Sequence, residues 1–247
     1  MKAKRNLKGM ISLIMAVCMF SSISITSNAV DGNGKRDCGH DLTFQIVSQT
    51  ASETQDGIIN TYCSKCGNIV EEKTIHAYKT YTIELGNNKF ATIKGWLESD
   101  YDDTSCDFEK EYLDTKSMSY EVINRLNSYR SENGKKSLEW NSSLQDTANL
   151  RALEAAYSFA HTRPNGEEWY MANESMLGGE NLARGYKSAA RVMEGWKKSQ
   201  THNENLLMES FKSVAVGVFH LYQFSEDEKI PKEKIVWAQS FSYMPSP

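Results

Sequence analysis

The C-terminal end of the chain contains the pattern that most restricts the fold. The segments SVAVGVFHLYQF, residues 213–224, and KIVWAQSFSY, residues 234–243, place apolar side chains at alternate positions, and a polar loop containing Pro231 separates them. A period of two is typical of β-strands. These segments therefore predict a pair of antiparallel strands.

Three helical segments precede the strand pair. The first is predicted to be capped by Ser119 and stopped by Gly134, and the second runs from Ser142 to His161 with alanines along one stripe. A third begins near Ser188. Core anchors are expected at three tryptophans: Trp140, Trp196 and Trp237. Helices packed about an antiparallel sheet give an α+β fold class.

The N-terminus reads as an export signal over residues 1–29. Four basic residues among the first eight precede the apolar segment ISLIMAVCMF, and small residues end the stretch at Ala29. This order matches a secretory signal peptide cleaved after Ala29. The apolar segment is shorter than the ~20 residues that span a bilayer. We therefore predict a secreted protein without a transmembrane segment after cleavage, with association with the cell envelope as a further option.

Charge disfavours one class of partner. The whole chain has a formal net charge of −4. The leader contains four basic residues and no acidic one, so its removal leaves 24 Lys and Arg against 32 Asp and Glu, about −8. Binding to nucleic acid or to an anionic membrane surface calls for a basic patch. We therefore expect no nucleic-acid partner.

Residues 30–85 contain metal-ligand spacing. Cys38 and His40 occur in one short turn, Cys63 and Cys66 form a C-x-x-C-G turn, and His76 follows. Strand-like segments lie between the two turns. The stretch resembles the small zinc-ribbon-like modules near the N-terminus of some secreted Gram-positive proteins. That resemblance implies a structural zinc ion bound by four of these five side chains.

Two other states of the four cysteines that follow the leader remain open. Cys63 can pair with Cys66, and Cys38 with Cys106, because an exported protein meets an oxidising environment. All four can also be thiols. Residues 86–116 are predicted to be an acidic connector, and a hairpin over residues 81–97 with its turn at Gly86-Asn87-Asn88 leads into it. Residues 117–247 form the last predicted domain.

Five motifs occur in one order over residues 119–242. They are INRLNSYRSENGKKSLEWNSSLQDTANLRALEAAYSFAHTRPNG, GGENLARGY, VMEGWKKSQTHNENLL, VAVGV and WAQSF. Together they resemble the CAP superfamily (cysteine-rich secretory proteins, antigen 5 and pathogenesis-related proteins) in its bacterial SCP-like form. The resemblance implies an α-β-α sandwich with a large open cleft, preceded here by the zinc-ribbon-like module.

The resemblance also implies a site. Its cleft histidines correspond to His161 and His202, and its cleft carboxylate corresponds to Glu180. Two imidazoles and a carboxylate can hold a divalent metal with an open position. The chain departs from the family pattern at Ser199, where a second glutamate is expected.

Each of these site residues also has a structural interpretation. His161 can cap its helix, because helix C-termini favour histidine, and Glu180 can bind backbone N–H groups of its loop. Two functions remain open. The first is a non-catalytic binding module for a small apolar or peptide-like ligand or a cell-envelope component. The second is a metal-dependent hydrolase of peptides with Glu180 as its base.

Overall fold

The computed structural model describes residues 43–101, 118–224 and 231–246. The predicted leader, Cys38, His40 and Cys106 lie outside these ranges, as do residues 102–116 of the predicted acidic connector. Within the described ranges, no helix combines the length and the apolar character that crossing a bilayer requires.

Two β-sheets organise the described part of the chain. The first has three antiparallel strands in sequence order: β1 (Thr43–Gln49), β2 (Gly57–Cys63) and β3 (Ile69–Ile75). The second has six strands: β4 (Lys79–Gly86), β5 (Lys89–Leu97), β6 (Glu139–Trp140), β7 (Gly179–Arg184), β8 (Ser213–Gln223) and β9 (Lys232–Ser242). Its order is β4-β5-β8-β9-β7, and β6 pairs with β8 in parallel. The strand pair predicted from the C-terminal segments is confirmed as β8 and β9.

Within residues 118–224, four α-helices cover the six-stranded sheet: α1 (Met118–Glu132), α2 (Ser142–Tyr157), α3 (Ala189–Lys198) and α4 (Gln200–Leu207). Alternate side chains of a strand point to opposite faces. Val214, Val216 and Val218 of β8 therefore pack with α1, α3 and α4. Phe219 and Leu221 pack with α2 on the other face. The predicted α-β-α sandwich is confirmed.

A glycine permits the close approach of α2 to the sheet. A Cβ atom at Gly217 of β8 would lie 2.2 Å from the carbonyl oxygen of Ala148. Small residues on the facing helix stripe, such as Ala152, complete this contact. The alanine-rich stripe seen in the sequence is thus the surface that packs against β8.

The cap predicted for the first helix needs correction, whereas the second helix begins at Ser142 as predicted. Helix α1 begins at Met118, so Ser119 lies in its first turn, where its N–H donates to Glu98 Oε2 at 3.1 Å. The cap of α2 is Asn141, whose side-chain oxygen accepts from the N–H of Leu144 at 3.2 Å. In both places a side chain outside the predicted helix supplies the acceptor that the free N–H groups of a first turn require.

The β4–β5 hairpin belongs to the six-stranded sheet. Its turn has Asn87 and Asn88 at φ 51° and 56°, as a two-residue type I′ turn requires, which confirms the predicted turn. Gly95 of β5 pairs with Leu221 of β8. The boundary that the sequence suggests between residues 85 and 86 therefore falls inside this hairpin.

Two of the three tryptophans expected in the core are there. Trp196 and Trp237 are buried, whereas Trp140 is 46% exposed. The indole N–H of Trp140 donates to Gln145 Oε1 at 3.0 Å, at the surface. The prediction for Trp140 was wrong because β6 has only two residues, both of them exposed.

The three-stranded sheet packs against one end of the six-stranded sheet. Ala51, Ile59 and Ile75 form a small apolar cluster with Tyr222 of β8, and Trp96 of β5 packs against it. The two sheets are therefore in direct contact through apolar side chains.

Candidate functional site

Glu180, the second residue of β7, lies at the centre of the site. Its side chain is fully shielded from solvent and is bound by Arg151 of α2. Nε of Arg151 donates to Oε2 at 2.6 Å, and Nη2 donates to Oε1 at 3.1 Å. This bidentate geometry is the strongest ordinary pairing of an arginine with a carboxylate. Glu180 therefore binds a side chain, whereas the sequence suggested backbone N–H groups of a loop.

Arg151 also fixes the chain that follows α2. Its Nη2 donates to the carbonyl oxygens of Ala160 and His161, at 3.2 and 3.0 Å. Its Nη1 donates to Glu154, which accepts from Arg163 as well. Burial alone would lower the pKa of Arg151, but the two carboxylates outweigh it and the pKa is raised. Arg151 is therefore a permanent buried cation with its donors engaged.

His161 contacts the other side of the same carboxylate. Its Nδ1 lies 2.9 Å from Glu180 Oε1, and its side chain is 55% exposed. An ionised carboxylate only accepts hydrogen bonds, so this contact requires the proton on Nδ1. Nε2 is then the imidazole nitrogen without a proton. Helix α2 ends at Tyr157, so His161 lies beyond the helix, and the interpretation as a helix cap was wrong.

His202 is brought to this site by α4. Burial lowers the pKa of His202, and the nearby charge of His161 lowers it further. The side-chain amide of Asn181 donates to the carbonyl oxygen of His202 at 3.3 Å. Asn205 donates to Asn181 Oδ1 at 2.9 Å and to the carbonyl oxygen of Glu180 at 3.2 Å. These amides connect α4 to β7.

A second carboxylate does not join the two histidines in the described structure. Ser199, where the family pattern has a second glutamate, lies between α3 and α4. Its Oγ is 3.4 Å from the hydroxyl oxygen of Thr201. Glu194 is exposed and bonds to Lys197 at 3.2 Å. Among the residues with described positions, no group of three or more His, Cys, Asp or Glu side chains is arranged to hold a metal ion. Among the described residues, the donor groups left at this site are therefore the imidazoles of His161 and His202.

The residues predicted for the ribbon are only partly brought together. Cys63 is buried at the end of β2, and Cys66 is exposed in the turn that follows. His76 follows β3, whose last residue pairs with Gly57 at the opposite end of β2. Six residues of strand separate these ends by about 20 Å. His76 is thus remote from the two cysteines.

Sequence reasoning missed Arg151. It lies three residues after Ala148 on the stripe of α2 that faces the sheet, and none of its side chain is exposed. A charged residue on an apolar stripe needs a buried partner, because an unpaired buried charge is very costly. The position of Arg151 on the apolar stripe is the sequence signal from which a buried carboxylate partner, such as Glu180, could have been predicted.

Comparison with known proteins identifies the C-terminal domain. The model of the cysteine-rich secretory protein family, CAP, matches residues 123–241. The CAP domain predicted from the motifs is confirmed over that range. A relative, the uncharacterized protein YkwD of Bacillus subtilis (strain 168), is 27% identical over 103 residues. The match covers 39% of this chain and 40% of the relative, so the chain spans less than half the length of that protein.

Three solved structures are also similar. An extracellular protein containing a SCP domain from Bacillus anthracis has a TM-score of 0.41 and 21% identity, over 51% of this chain and 40% of that one. An outer surface protein from Borrelia burgdorferi has a TM-score of 0.37 and 20% identity, over 49% and 90%. A cysteine-rich secretory protein from Staphylococcus aureus has a TM-score of 0.36 and 9% identity, over 81% and 82%. The assignment of the domain rests on the family model.

Proposed function

We propose that this chain is an exported CAP-domain protein whose site at His161, Glu180 and His202 binds a ligand without transforming it. One observation carries the proposal: both oxygens of Glu180 accept hydrogen bonds from Arg151, and one of them also contacts His161. A general base must reach the proton that it removes. Glu180 is shielded from solvent, and both of its oxygens already accept hydrogen bonds, so it is poorly placed to act as a base. Its role is to orient His161.

The surroundings of His161 favour an apolar or peptide-like ligand. Tyr157 and Phe159, just before His161 in the chain, are 44% and 40% exposed. Arg184 of β7 lies over the Phe159 ring, 4.6 Å from its centroid. An exposed aromatic ring beside hydrogen-bonding groups is a common arrangement in binding sites for small ligands and peptides. This ligand is either a free molecule or part of a cell-envelope component.

The donor set fits a divalent metal only weakly. His161 and His202 are the ligands that the described residues offer, whereas a tightly bound zinc ion takes three or four protein ligands. A metal bound here would act as a Lewis acid toward a ligand. We therefore propose that any metal binding in this cleft is weak and depends on both histidines.

Binding of a labelled peptide by the chain that begins at Val30 tests the proposal. A fluorescein-labelled peptide rich in Leu and Phe is titrated while its anisotropy is recorded. We expect Phe159→Ser to weaken binding roughly tenfold, about 1.4 kcal/mol. Phe44→Ser is the matched control, because Phe44 is 47% exposed but lies on the three-stranded sheet.

Mass spectrometry of the same samples separates the two functions. An intact peptide after long incubation supports the binding function. Cleavage that is lost in Glu180→Gln and retained in Phe44→Ser supports the metal-dependent hydrolase. Equal affinity of the wild type, Phe159→Ser and Phe44→Ser would contradict a ligand site beside His161.

Export accounts for the location that we propose. The leader has a basic region, an apolar region and small residues in the order that signal peptidase requires. N-terminal sequencing of protein from culture fluid or from the cell envelope should begin at Val30. Retention of residues 1–29 in that material would contradict export by cleavage.

A structural zinc ion in the N-terminal module is a second proposal. The turn that follows β2 is tight: the N–H of Gly67 donates to the carbonyl oxygen of Cys63 at 2.8 Å. Thr43, three residues after His40, pairs with Cys63. This register supports a ligand set of Cys38, His40, Cys63 and Cys66, with His76 left out.

Metal analysis and intact-mass measurement after alkylation test the zinc site. We expect about one zinc ion per chain, which is lost in Cys66→Ser and retained in His76→Ala. Two disulfides in the native protein would contradict this proposal. That result would also leave the proposal for the CAP domain unaffected.

A further inference from the structure

His220 of β8 is a buried histidine held between two carboxylates. It is 5% exposed. Its Nδ1 lies 2.8 Å from Oε1 of Glu233 in β9, and its Nε2 lies 3.7 Å from Oε1 of Glu98, which follows β5. Its ring stacks on Trp96 with centroids 3.6 Å apart and planes 10° apart. None of these partners belongs to the site at His161.

The surroundings favour the imidazolium form. Burial alone would lower the pKa of His220, but the hydrogen bond with Glu233 and the nearby carboxylates of Glu233 and Glu98 outweigh it, and the pKa is raised above 6.5. The hydrogen bond from His220 is also the largest cause that lowers the pKa of Glu233. A cation over an indole ring is attracted by the negative face of that ring.

A cavity of about 280 Å³ opens on these groups between the two sheets. It is lined by Lys73 and His76 next to Trp96, His220 and Glu233. His220 stacks on the Trp96 ring, and His76 makes a T-shaped contact with the same ring, with centroids 4.8 Å apart. The indole is therefore poorly placed to stack with a ring-shaped ligand, whereas water in the cavity can exchange a proton with His220.

His220 contacts three parts of the fold through these partners. The second oxygen of Glu98 accepts from the N–H of Ser119 in the first turn of α1, at 3.1 Å. Glu233 belongs to β9. Trp96 packs against the apolar cluster that joins the three-stranded sheet to β8. The charge on one imidazole therefore acts on the start of α1 and on the contact between the sheets.

We propose that His220 is a proton-binding site. When it is protonated, it stabilises the contacts that the three-stranded sheet and the first turn of α1 make with the six-stranded sheet. Loss of the proton weakens both sets of contacts. The titratable and charged groups facing it are Glu98, Glu233, Lys73 and His76. The role is structural control by pH, and it does not depend on the ligand of the CAP site.

The direction of the effect follows from linkage. Because the folded-state pKa of His220 is raised, its contribution is complete below 6.5, the unfolded value, and is lost as pH rises through the folded-state pKa. Glu233 acts in the opposite sense, since its lowered pKa gives a contribution that is lost as pH falls below 4.5. The contacts that depend on His220 and Glu233 are therefore most stable between pH 4.5 and pH 6.5.

Hydrogen exchange of the chain that begins at Val30, at about pH 6 and about pH 8 and corrected for intrinsic rates, tests the proposal. We expect the protection of β3 and of the first turn of α1 to fall at the higher pH. The fall should be up to about tenfold for each unit by which the folded-state pKa of His220 exceeds 6.5. His220→Gln should abolish this dependence. His76→Gln, which removes the other imidazole at Trp96, should retain it.

A second measurement tests the proposal even if His220→Gln fails to fold. The titration of His220 is followed by NMR in the wild type and in Glu233→Gln. A His220 titration midpoint above 6.5 in the wild type that falls in Glu233→Gln supports the proposal. A midpoint at or below 6.5 in the wild type, or equal corrected protection at both pH values, would overturn it.

Discussion

Nε of Arg151 lies 2.6 Å from Oε2 of Glu180, and neither side chain is exposed to solvent. This pair joins α2 to β7 beneath the exposed imidazole of His161. The arginine is bound by both Glu180 and Glu154, but Glu154 has a second arginine partner in Arg163, so Glu180 is the carboxylate that depends most on Arg151 for charge balance. The arrangement makes Arg151 the residue on which the shape of the site depends most.

Replacement of Arg151 should destabilise the domain strongly. Arg151→Met leaves Glu180 and Glu154 buried without their shared cation, and breaking a buried pair costs about 3–5 kcal/mol. Urea unfolding of the chain that begins at Val30 measures the loss. Arg125→Met is the matched control, since Arg125 pairs with Glu121 at the surface, and it should cost about 0.5 kcal/mol or less. Equal losses in the two variants would contradict a buried network.

His161 and Trp196 should differ sharply in their effect on stability. The side chain of His161 is 55% exposed, so His161→Ala should cost about 1 kcal/mol or less. Trp196 is 2% exposed in the core, so Trp196→Ala should cost about 3–5 kcal/mol. Thermal melts of the two variants give the comparison. A melting point of His161→Ala as low as that of Trp196→Ala would mean that His161 is a packing residue.

His202 should make the domain sensitive to acid. Its folded-state pKa is lowered, by burial first and then by the charge of His161, so the unfolded chain binds the proton more readily. Stability contributed in this way is present above 6.5 and is lost as pH falls through the folded-state pKa.

His202→Asn should flatten the dependence of the unfolding free energy on pH below 6.5, measured by urea unfolding at several pH values. The effect lies on the acid side of 6.5, whereas that of His220 lies on the alkaline side. An unchanged slope in His202→Asn would show that His202 titrates normally.

The sequence predicts the packing elements of this domain well. Valines at alternate positions predict β8, and the alanine stripe predicts the face of α2 that packs on it. The same reasoning fails at chain ends. Phe159 and His161 extend the stripe of α2 in the sequence, but the helix ends at Tyr157 and both residues are exposed. Helix ends depend on tertiary contacts, here the bonds from Arg151 to the following carbonyl oxygens.

The side chains that the motifs point to lie near one another, but their connections could not be predicted. The family motifs point to His161, Glu180 and His202, yet they say nothing of which atom each group contacts. Strand β3 was missed, because its segment IVEEKTI carries three consecutive charged residues on an exposed sheet. That omission left His76 in the ribbon, although β3 carries it to the far end of β2.

The tautomer of His161 shows whether Glu180 orients this histidine. If Glu180 orients this histidine for ligand binding, the neutral imidazole carries its proton on Nδ1, 2.9 Å from Glu180 Oε1. A two-bond proton–nitrogen correlation spectrum of the uniformly nitrogen-15-labelled protein, recorded in mildly alkaline buffer, distinguishes the two tautomers. We expect a protonated Nδ1 and a bare Nε2 facing the ligand. A protonated Nε2 would contradict the orienting role of Glu180.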